Sequence, residues 1–585
     1  MRCSATEPQR HRDEDLPQRH RDTETRFICH RDTETRICHR VTETQSPFGW
    51  RVLFPALVFA VAAIGVGGAW TPNDPAEARR AFAVGLTALH NFEYEDANDA
   101  FRRARKSDPD FVMAYWGEAM TYYQTLWRHE DVDAARRVLA ALAPTPAARA
   151  TKARDAREKG YLAAVDILFG DGDAPTRHRA YAEAMSRVHA ADPGDPDAAS
   201  LYALALLGTM SRSLIGSADA MEGRSEGLAG SAVQKQVAAI LEGVLKTHPT
   251  HPGALHYLLH DYDDPEHARL ALPAARAYAK VAADSSHALH MPSHIFLQLG
   301  LWHDAAKSDR AAFDASDRWV KKKGLRPEMR SYHALSWLQY ELLQLGRYKE
   351  ARDTIGEIEP VVRASGALTP GAPAGQNNPL LSDLSSMRAR LVVETRRWEL
   401  MANERNFGNA NDLFAIGISA ARGGNAALAG MARQGLADRA QSQQEGDLRP
   451  AIAIMEREVA GVIEAAGGRR DRAIEILRAA AKAEVDLPPP LGLPEPIKPA
   501  PELLGELLLE SGRPAEAIDA FEQAMRRNPN RTLSVLGLAR AEKAAGRADA
   551  ARRHYGQLLK NLDGADAGLQ EVKEAREETG APTGR

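Results

Sequence analysis

The stretch SGRPAEAIDAFEQAMRRNPN, residues 511–530, decides the fold. It places a glycine at Gly512, a small residue at Ala517, an aromatic ring at Phe521 and a proline at Pro529. Small residues let two helices approach closely, the aromatic ring fills the gap to a neighbouring helix, and proline ends a helix because it lacks an N–H. The stretch therefore predicts the second helix of a helical hairpin that packs against further copies of itself.

The same pattern recurs at a fixed spacing. Gly546, Ala551 and Tyr555 each lie 34 residues after Gly512, Ala517 and Phe521, and 34 residues is the length of one tetratricopeptide repeat (TPR) unit. The pattern also fits residues 89–109, and looser copies begin at Gly300, Gly346 and Gly468. We predict an all-α fold, a TPR-like α-solenoid in which helix pairs build a right-handed superhelix.

Composition limits the classes of function. The chain has 585 residues, and its formal net charge of −4 gives no reason to expect nucleic-acid binding. All three cysteines (Cys3, Cys29 and Cys38) lie in the first 40 residues. A disulfide framework, a cysteine nucleophile and a Cys-based metal site are therefore excluded from the rest of the chain.

The first 70 residues differ in composition from the rest. Residues 1–50 repeat a short polar unit, HRDTETR, and are predicted to be a disordered low-complexity extension. Residues 51–70 contain an apolar run at 52–69 that follows a basic residue, which predicts a signal sequence or a membrane anchor. Either would place the remainder outside the cytoplasm, in the periplasm or beyond it.

The remaining boundaries follow changes of composition. We predict an N-terminal TPR-like array at 75–365, a loop at 366–382, divergent helical repeats at 383–485, a Pro-rich strap at 486–501, a C-terminal TPR pair at 502–565 and a frayed tail at 566–585.

Two histidine pairs in the middle of the chain also repeat at a spacing of 34. His256 and His260 lie in HYLLHD, and His290 and His294 lie in HALHMPSHIF. Aligning the turn glycines assigns these residues to positions 5 and 9 of the first helix in consecutive units, and assigns His287 and His333 to position 2. These positions line the concave groove of a TPR array, so we expect the rings to lie close together.

Neutral imidazole binds zinc, copper and iron, and a histidine pair four residues apart on a helix can reach one ion. One interpretation is that His256, His260, His290 and His294 supply one metal site, with His287, Asp261 or Asp284 as a further ligand. Pro292 could interrupt the helix and prevent this convergence. The alternative is that the rings hydrogen-bond to neighbouring side chains and stiffen the groove.

Other residues are candidates for contact with a partner. His90, Trp116, Tyr123 and His333 fall near the predicted groove, where aromatic side chains can anchor a protein or peptide. The alternative for His90, Trp116 and Tyr123 is that these side chains pack between repeats. No catalytic residues are predicted, because HYLLH lacks the glutamate of zinc peptidases and the chain has no phosphate-binding loop and no GxSxG motif. An interaction protein is favoured over an enzyme.

The segments at 89–104, 251–268, 287–302 and 332–351 resemble a family of exported bacterial TPR proteins of uncharacterised function, and HMPSHIF is the most specific part of the resemblance. The resemblance implies a solenoid fold and an extracytoplasmic setting. Our first hypothesis is a scaffold that binds a protein or peptide partner in its concave groove. The second is a metal-binding protein or metalloenzyme that uses the histidines.

Overall fold

A computed structural model describes residues 74–210, 232–365, 379–405, 409–442, 446, 448–488, 490 and 492–581. These residues hold 25 α-helices and one two-stranded ribbon, so the predicted all-α class is confirmed. The predicted extension at 1–50, the segment at 51–70 and most of the loop at 366–382 lie outside the described residues.

The N-terminal half of the array contains fifteen helices. They are α1 (Pro75–His90), α2 (Tyr94–Ser107), α3 (Val112–Met120), α4 (Val132–Leu142), α5 (Pro146–Lys152), α6 (Ala156–Leu168), α7 (Ala174–Ala191), α8 (Pro196–Thr209), α9 (Ala232–Thr247), α10 (Pro252–Asp261), α11 (Ala268–Val281), α12 (Ser286–Gln298), α13 (Trp302–Lys323), α14 (Tyr332–Gln344) and α15 (Tyr348–Ala364). The ribbon pairs β1 (Tyr123–Gln124) antiparallel with β2 (His129–Glu130) between α3 and α4.

Ten helices follow. They are α16 (Pro379–Thr395), α17 (Ala410–Arg422), α18 (Ala426–Gln441), α19 (Arg449–Ala466), α20 (Arg470–Val485), α21 (Ala500–Glu510), α22 (Pro514–Arg527), α23 (Thr532–Ala544), α24 (Ala548–Asn561) and α25 (Gln570–Thr579). Short 3-10 turns lie at Pro327–Met329 and Trp398–Leu400.

The helices are arranged as stacked pairs. Each helix from α16 to α25 packs against the next, and the first helices of successive pairs also touch, as α17 does with α19, α19 with α21 and α21 with α23. This nearest-neighbour stacking is what a TPR-like solenoid requires, because one helix pair cannot bury its apolar face alone.

Phe101 and Phe521 show why the repeat pattern specifies this packing. Each ring is fully buried and faces two glycines, one in its own unit and one in the next. A Cβ added at Gly117 would lie 2.4 Å from Phe101, and one added at Gly537 would lie 2.3 Å from Phe521. The small residues therefore leave room for the aromatic ring, as the sequence pattern indicated.

Turn glycines fix where each second helix begins. Gly300, Gly346, Gly512 and Gly546 have φ values between +62° and +76°, a left-handed conformation that favours glycine. The first helices α10, α12 and α14 begin at Pro252, Ser286 and Tyr332, as the alignment on these glycines predicted.

The C-terminal repeats pack back onto the middle of the array. Trp302 Nε1 donates to the carbonyl of Asn530 at 2.9 Å, and Asn530 Nδ2 donates to the carbonyl of Gly300 at 2.8 Å. Gln298 Nε2 donates to the carbonyl of Pro490 at 3.0 Å, so the Pro-rich strap crosses α12. These contacts join segments about 190–230 residues apart in sequence.

Two predicted boundaries are wrong. Residues 570–579 form helix α25 rather than a frayed tail, because Ala575 is buried and Glu574 accepts hydrogen bonds from Arg540 and Tyr555 of the preceding repeat. The predicted loop also ends earlier than expected, because α16 begins at Pro379.

Candidate metal centre

Three first helices of consecutive units carry the histidines. His256 and His260 lie on α10, His287, His290 and His294 lie on α12, and His333 lies on α14. All six take the predicted register positions 2, 5 or 9. The structure brings them together as two separate groups of three.

The first triad is His256, His260 and His287. Nε2 of His256 lies 3.1 Å from Nε2 of His260 and 3.0 Å from Nε2 of His287. One ligand nitrogen from each of the three rings lies within 4.8 Å of the others. The triad therefore combines positions 5 and 9 of one unit with position 2 of the next.

The second triad, His290, His294 and His333, follows the same rule one unit later. Nε2 of His294 lies 3.1 Å from Nε2 of His290, and the ring centroids of His290 and His333 are 4.7 Å apart. Its ligand nitrogens also lie within 4.8 Å of one another. His290 is buried, His294 is partly buried and His333 is exposed.

The predicted grouping is therefore wrong, although the residues are the predicted ones. His256 and His260 do not share a triad with His290 and His294. Each pair instead meets position 2 of the following unit, so His287 belongs to the first triad and His333 to the second. The sequence spacing gives the register of each helix but not the offset between neighbouring helices.

Pro292 does not interrupt α12. The helix runs without a break from Ser286 to Gln298, because the hydroxyl of Ser285 accepts the N–H of Ala288 at 3.1 Å and starts the helix six residues before the proline. His290 and His294 therefore share a helical face, and the interruption expected from Pro292 does not occur.

Hydrogen bonds to Nδ1 orient the rings. Nδ1 of His256 lies 2.6 Å from the carbonyl oxygen of His90, and a carbonyl only accepts, so this Nδ1 carries the proton. Nδ1 of His294 donates to Asp263 at 2.7 Å, and Nδ1 of His290 donates to Asp309 at 2.5 Å. Each of these rings therefore presents an Nε2 lone pair to its triad. A partner on the second ring nitrogen is the usual arrangement around metal-bound histidine.

The nitrogen spacings fit a metal ion. Ligand nitrogens at 2.0–2.1 Å from a tetrahedral ion are about 3.3 Å apart, close to the 3.0–3.1 Å found here. Hydrogen bonding alone explains the first triad less well. His256 offers one lone pair at Nε2, yet two other rings point at it.

The pKa shifts agree with neutral, ligand-ready rings. Burial lowers the pKa of His256, His260, His287 and His290 well below the usual range, and the neighbouring imidazoles lower it further. Unprotonated imidazole is the form that binds metals, so these rings are available at neutral pH.

Aromatic side chains cover both triads. The Phe92 ring centroid lies 4.3 Å from that of His256, and Phe92 also stacks on His260 and His287. Trp337 packs on the second triad, at 4.4 Å from His294 and 4.9 Å from His290. The strap lies against Trp337, since a Cβ added at Gly492 would be 2.8 Å from that indole.

A cavity of about 320 Å³ adjoins both triads. Five of the six rings line it, and the sixth, His256, is fully buried and not part of the lining. Its other lining residues are Leu126, Trp127, Leu207, Met210, Gln234, Asp261, Asp263, Asp264 and Met291. A second groove is also lined by Trp127, His287, His290 and His333.

Asp309, the hydrogen-bond partner of His290, forms a buried pair of carboxyl groups with Glu341. Glu341 lies against Asp309, and both side chains are 0% exposed. Burial raises the pKa of both carboxyls, and the charge of Asp309 raises that of Glu341 further.

A third group, His90, Asp197 and His251, also has metal-ligand atoms within 4.8 Å of one another, but its hydrogen bonds are complete. Nδ1 of His251 accepts the N–H of Ala254 at 3.1 Å, and Nδ1 of His90 lies 2.9 Å from the hydroxyl of Tyr257. Both Nε2 atoms then donate to Asp197, at 2.9 Å and 3.2 Å. No imidazole lone pair remains for an ion, so this group is structural.

The residues predicted to contact a partner do not form a surface. Trp116, Tyr123 and His90 are 1%, 3% and 1% exposed, and the indole of Trp116 packs edge-on against Tyr161. The apolar core of the first repeats encloses Trp116 and Tyr123, and His90 is buried between Tyr257 and Asp197, so a partner cannot reach them. His333 is accessible but belongs to the second triad.

Four important residues were not singled out from the sequence. Asp263 and Asp309 orient rings from other parts of the chain, and no spacing rule connects them with the histidines. Phe92 lies within the segment at 89–104, but its φ of +57° and its position over the first triad are tertiary features. Trp337, at position 6 of its helix, could have been found from its place four residues after His333.

The family model for the tetratricopeptide repeat matches residues 508–574. Residues 508–574 therefore carry TPR units. The matched segment begins near the end of α21 and runs into α25, so it includes the predicted C-terminal TPR pair. The remaining helices continue the same stacking, which confirms the TPR-like solenoid class. No curated protein sequence matches the chain.

Solved structures of TPR proteins are also similar to the chain. A tetratricopeptide repeat protein from Parabacteroides merdae is 15% identical, with 50% of this chain and 98% of that chain covered and a TM-score of 0.28. The APC/C hetero-tetramer Cut9–Hcn1 is 12% identical over 85% and 96% of the two chains, with a TM-score of 0.26. Yeast Tom70 is 14% identical over 86% and 95%, with a TM-score of 0.27.

The predicted membrane segment at 52–69 lies outside the described residues. Within the part of the chain that the structure describes, no helix combines the length and the apolar character needed to cross a membrane.

Proposed function

We propose that this chain is a metal-binding TPR protein in which each histidine triad holds one zinc, copper or iron ion. The observation that carries the proposal is the first triad, where two rings point at the single Nε2 lone pair of His256. The second triad brings the same three register positions together one unit later, which is expected if the repeat itself carries a metal-binding pattern.

The surroundings of the triads support the same function. Asp263 and Asp309 accept hydrogen bonds from Nδ1 of His294 and His290, an arrangement that raises the basicity of the ligand nitrogens. Three protein ligands leave at least one coordination position for an outside molecule, as in catalytic zinc sites. The cavity beside the triads gives such a molecule room to bind.

Metal analysis of full-length protein prepared without a histidine tag tests the proposal. We expect two ions per chain in the wild type and loss of both in the double variant His260→Ala/His294→Ala. The matched control is His251→Ala, which removes a histidine from the structural group and should keep both ions. Metal-free wild-type protein, with a double variant of reduced stability, would instead support the alternative in which the rings only stiffen the groove.

Protein binding is a second candidate function, because TPR arrays generally mediate protein–protein interactions and residues 508–574 match the repeat family. The partner and its contact residues remain proposals, since His90, Trp116 and Tyr123 are buried. Pull-down with the full chain and with a chain truncated before α21 would test whether the C-terminal repeats bind a partner.

An extracytoplasmic location also remains a proposal. It rests on the apolar run at 52–69 and on the absence of cysteine beyond residue 38. Fractionation of cells that express the full chain, compared with a variant that lacks residues 52–69, tests it. Equal distribution of the two proteins would contradict export through this segment.

A further inference from the structure

The second triad depends on the placement of two helices from consecutive units. His290 and His294 lie on α12, whereas His333 lies on α14. The three ligand nitrogens can meet one ion only while these two helices keep their positions relative to each other. A segment that holds α12 and α14 together therefore also holds the second site.

The Pro-rich strap contacts both of these helices. The carbonyl of Pro490 accepts a hydrogen bond from Nε2 of Gln298, on α12, at 3.0 Å. Gly492 faces Trp337, on α14, and a Cβ added at Gly492 would lie 2.8 Å from Cζ2 of the indole. Gln298 and Trp337 are 2% and 5% exposed, so both side chains are enclosed. The strap thus joins the two helices that build the second triad.

Trp337 connects the strap with the ligands. Its ring centroid lies 4.4 Å from that of His294, 4.9 Å from that of His290 and 5.5 Å from that of His333. One indole therefore packs against all three rings of the second triad. Because Gly492 has no side chain, the backbone of the strap can approach the indole closely and hold it in this place.

The C-terminal repeats hold the strap and the same two helices. Nη1 of Arg527, on α22, donates to the carbonyl of Leu487, near the start of the strap, at 2.8 Å. The hydroxyl of Thr532, on α23, donates to the carbonyl of Gln344, at the end of α14, at 2.7 Å. The turn at Gly300, which follows α12, is bonded to the same repeats. The docked C-terminal repeats therefore fix the strap against both helices.

The first triad has a different support. Its rings lie on α10 and α12, which pack directly against each other. Nδ1 of His256, on α10, donates to the carbonyl of His90 at 2.6 Å, and Phe92 covers the ring. The carbonyl of Asp261, at the end of α10, accepts from Nε2 of Gln234, on α9, at 2.7 Å. These partners belong to the N-terminal repeats, so a change in the strap should leave the first triad in place.

We propose that Trp337 is a positioning residue of the second site and that the strap, docked on α12 and α14, sets the metal affinity of this site alone. The inference rests on the proposed metal-binding function. With the strap docked, the indole holds the three rings at the spacing that an ion needs. When the strap moves off the indole, the rings gain freedom and the ion binds more weakly. The coupling is reciprocal, so an ion in the second triad stabilises the docked strap by the same free energy.

Gly492→Ala tests the proposal, because the added methyl group would press on Trp337 and remove no ligand. Two backgrounds report the sites separately, since His260→Ala keeps only the second triad and His294→Ala keeps only the first. Competition with a chelator of known affinity measures zinc binding to the untagged full chain. We expect Gly492→Ala to weaken zinc binding by about 10–100-fold in the His260→Ala background and to leave it unchanged in the His294→Ala background.

Gly505→Ala is the matched control. It crowds another buried ring, because its added Cβ would lie 2.9 Å from Phe521, but Gly505 lies on α21 in the C-terminal repeats. It should leave the zinc affinity of both sites unchanged. Gln298→Ala, which removes the hydrogen bond to Pro490, is the second variant should Gly492→Ala lose its helical circular dichroism. It should also weaken the second site alone.

Hydrogen exchange tests the reciprocal effect, which a purely structural role of the strap would not produce. Zinc should slow amide exchange in peptides from residues 486–501 when it is added to the His260→Ala protein. It should not do so in the His294→Ala protein. Equal protection of the strap in both proteins would contradict the coupling.

The results distinguish failure of the two proposals. If both sites bind zinc and Gly492→Ala weakens neither site, or weakens both equally, the role of the strap is overturned while metal binding stands. If the untagged wild type binds no zinc, copper or iron, the proposed function fails and this inference fails with it.

Discussion

His294 donates from Nδ1 to Oδ2 of Asp263 at 2.7 Å, so a carboxylate after α10 orients a ring of α12. The carboxylate fixes the tautomer and leaves Nε2 free to face His290. Through this hydrogen bond, a residue of the unit that contains α10 orients a ring of the second triad in the next unit.

Asp263→Asn should therefore weaken metal binding at the second triad by about 10–100-fold without removing a ligand. The amide oxygen can still accept the hydrogen bond, but the negative charge is lost. Competition with a chelator of known affinity measures the change. Asp304→Asn is the control, because Asp304 is half-exposed and only lies 3.7 Å from Arg276. Equal affinities of the two variants would show that Asp263 does not support the site.

Asp197→Asn should reduce stability without changing metal content. Burial raises the pKa of Asp197, but hydrogen bonds from His251 and His90 outweigh it and hold this pKa well below the usual range. The ionised carboxylate therefore stabilises the fold above the ordinary Asp pKa, and this contribution is lost as the pH falls through the lowered value. At neutral pH we expect a loss of about 1–3 kcal/mol.

Thermal melts and metal analysis of the same Asp197→Asn preparation check both halves of this prediction. A variant that loses metal but keeps its melting midpoint would mean that His90, Asp197 and His251 form a metal site after all.

Gly537→Ala should destabilise the C-terminal repeats by roughly 1–3 kcal/mol, because the new methyl group would lie 2.3 Å from the ring of Phe521 and force a shift. Gly556→Ala, in α24, is the matched control, since nothing lies within 4 Å of its added Cβ. It should stabilise its helix by up to about 1 kcal/mol. The melting midpoints of the two variants should move in opposite directions, and a common direction would contradict the packing account.

Arg531→Ala should lower the free energy of unfolding by about 3–5 kcal/mol, because it leaves the buried Glu394 without its cationic partner and Glu502 with Lys498 alone. Arg531 is fully buried and lies 2.7 Å from Glu394 and 2.8 Å from Glu502. Denaturant unfolding measures the loss. Arg552→Ala, which removes an exposed ion pair with Asp549, should leave the unfolding midpoint unchanged. A similar midpoint for both variants would mean that the buried pairs contribute no more than surface pairs.

The repeat register could be read from the sequence because it depends on local chemistry. Each repeat needs a glycine at the left-handed turn, a small residue at the helix contact and an aromatic ring between units. These residue types recur in the sequence at a fixed spacing. That is why the starts of α10, α12 and α14 were predicted correctly from Gly300 and Gly346. The sequence also identified all six histidines of the triads.

The grouping of those histidines depends on how far neighbouring first helices are shifted along their axes relative to one another. No local sequence pattern predicts that shift. Position 2 of α12 lies beside positions 5 and 9 of α10, and position 2 of α14 lies beside positions 5 and 9 of α12. His287 therefore belongs to the first triad and His333 to the second. The sequence also did not show which of the candidate side chains are buried. Tryptophan is a common contact residue in binding surfaces, but the first repeats pack around Trp116 and make it part of the core. Helix α25 was missed because its polar sequence is stabilised by partners in the preceding repeat.

An anomalous difference map of crystals of the untagged full chain, recorded at the absorption edge of the bound metal, tests the central claim most directly. We predict two peaks, one among His256, His260 and His287 and one among His290, His294 and His333, each about 2.0–2.2 Å from the ring nitrogens. No peak in either triad, or a peak at His90, Asp197 and His251 instead, would contradict it.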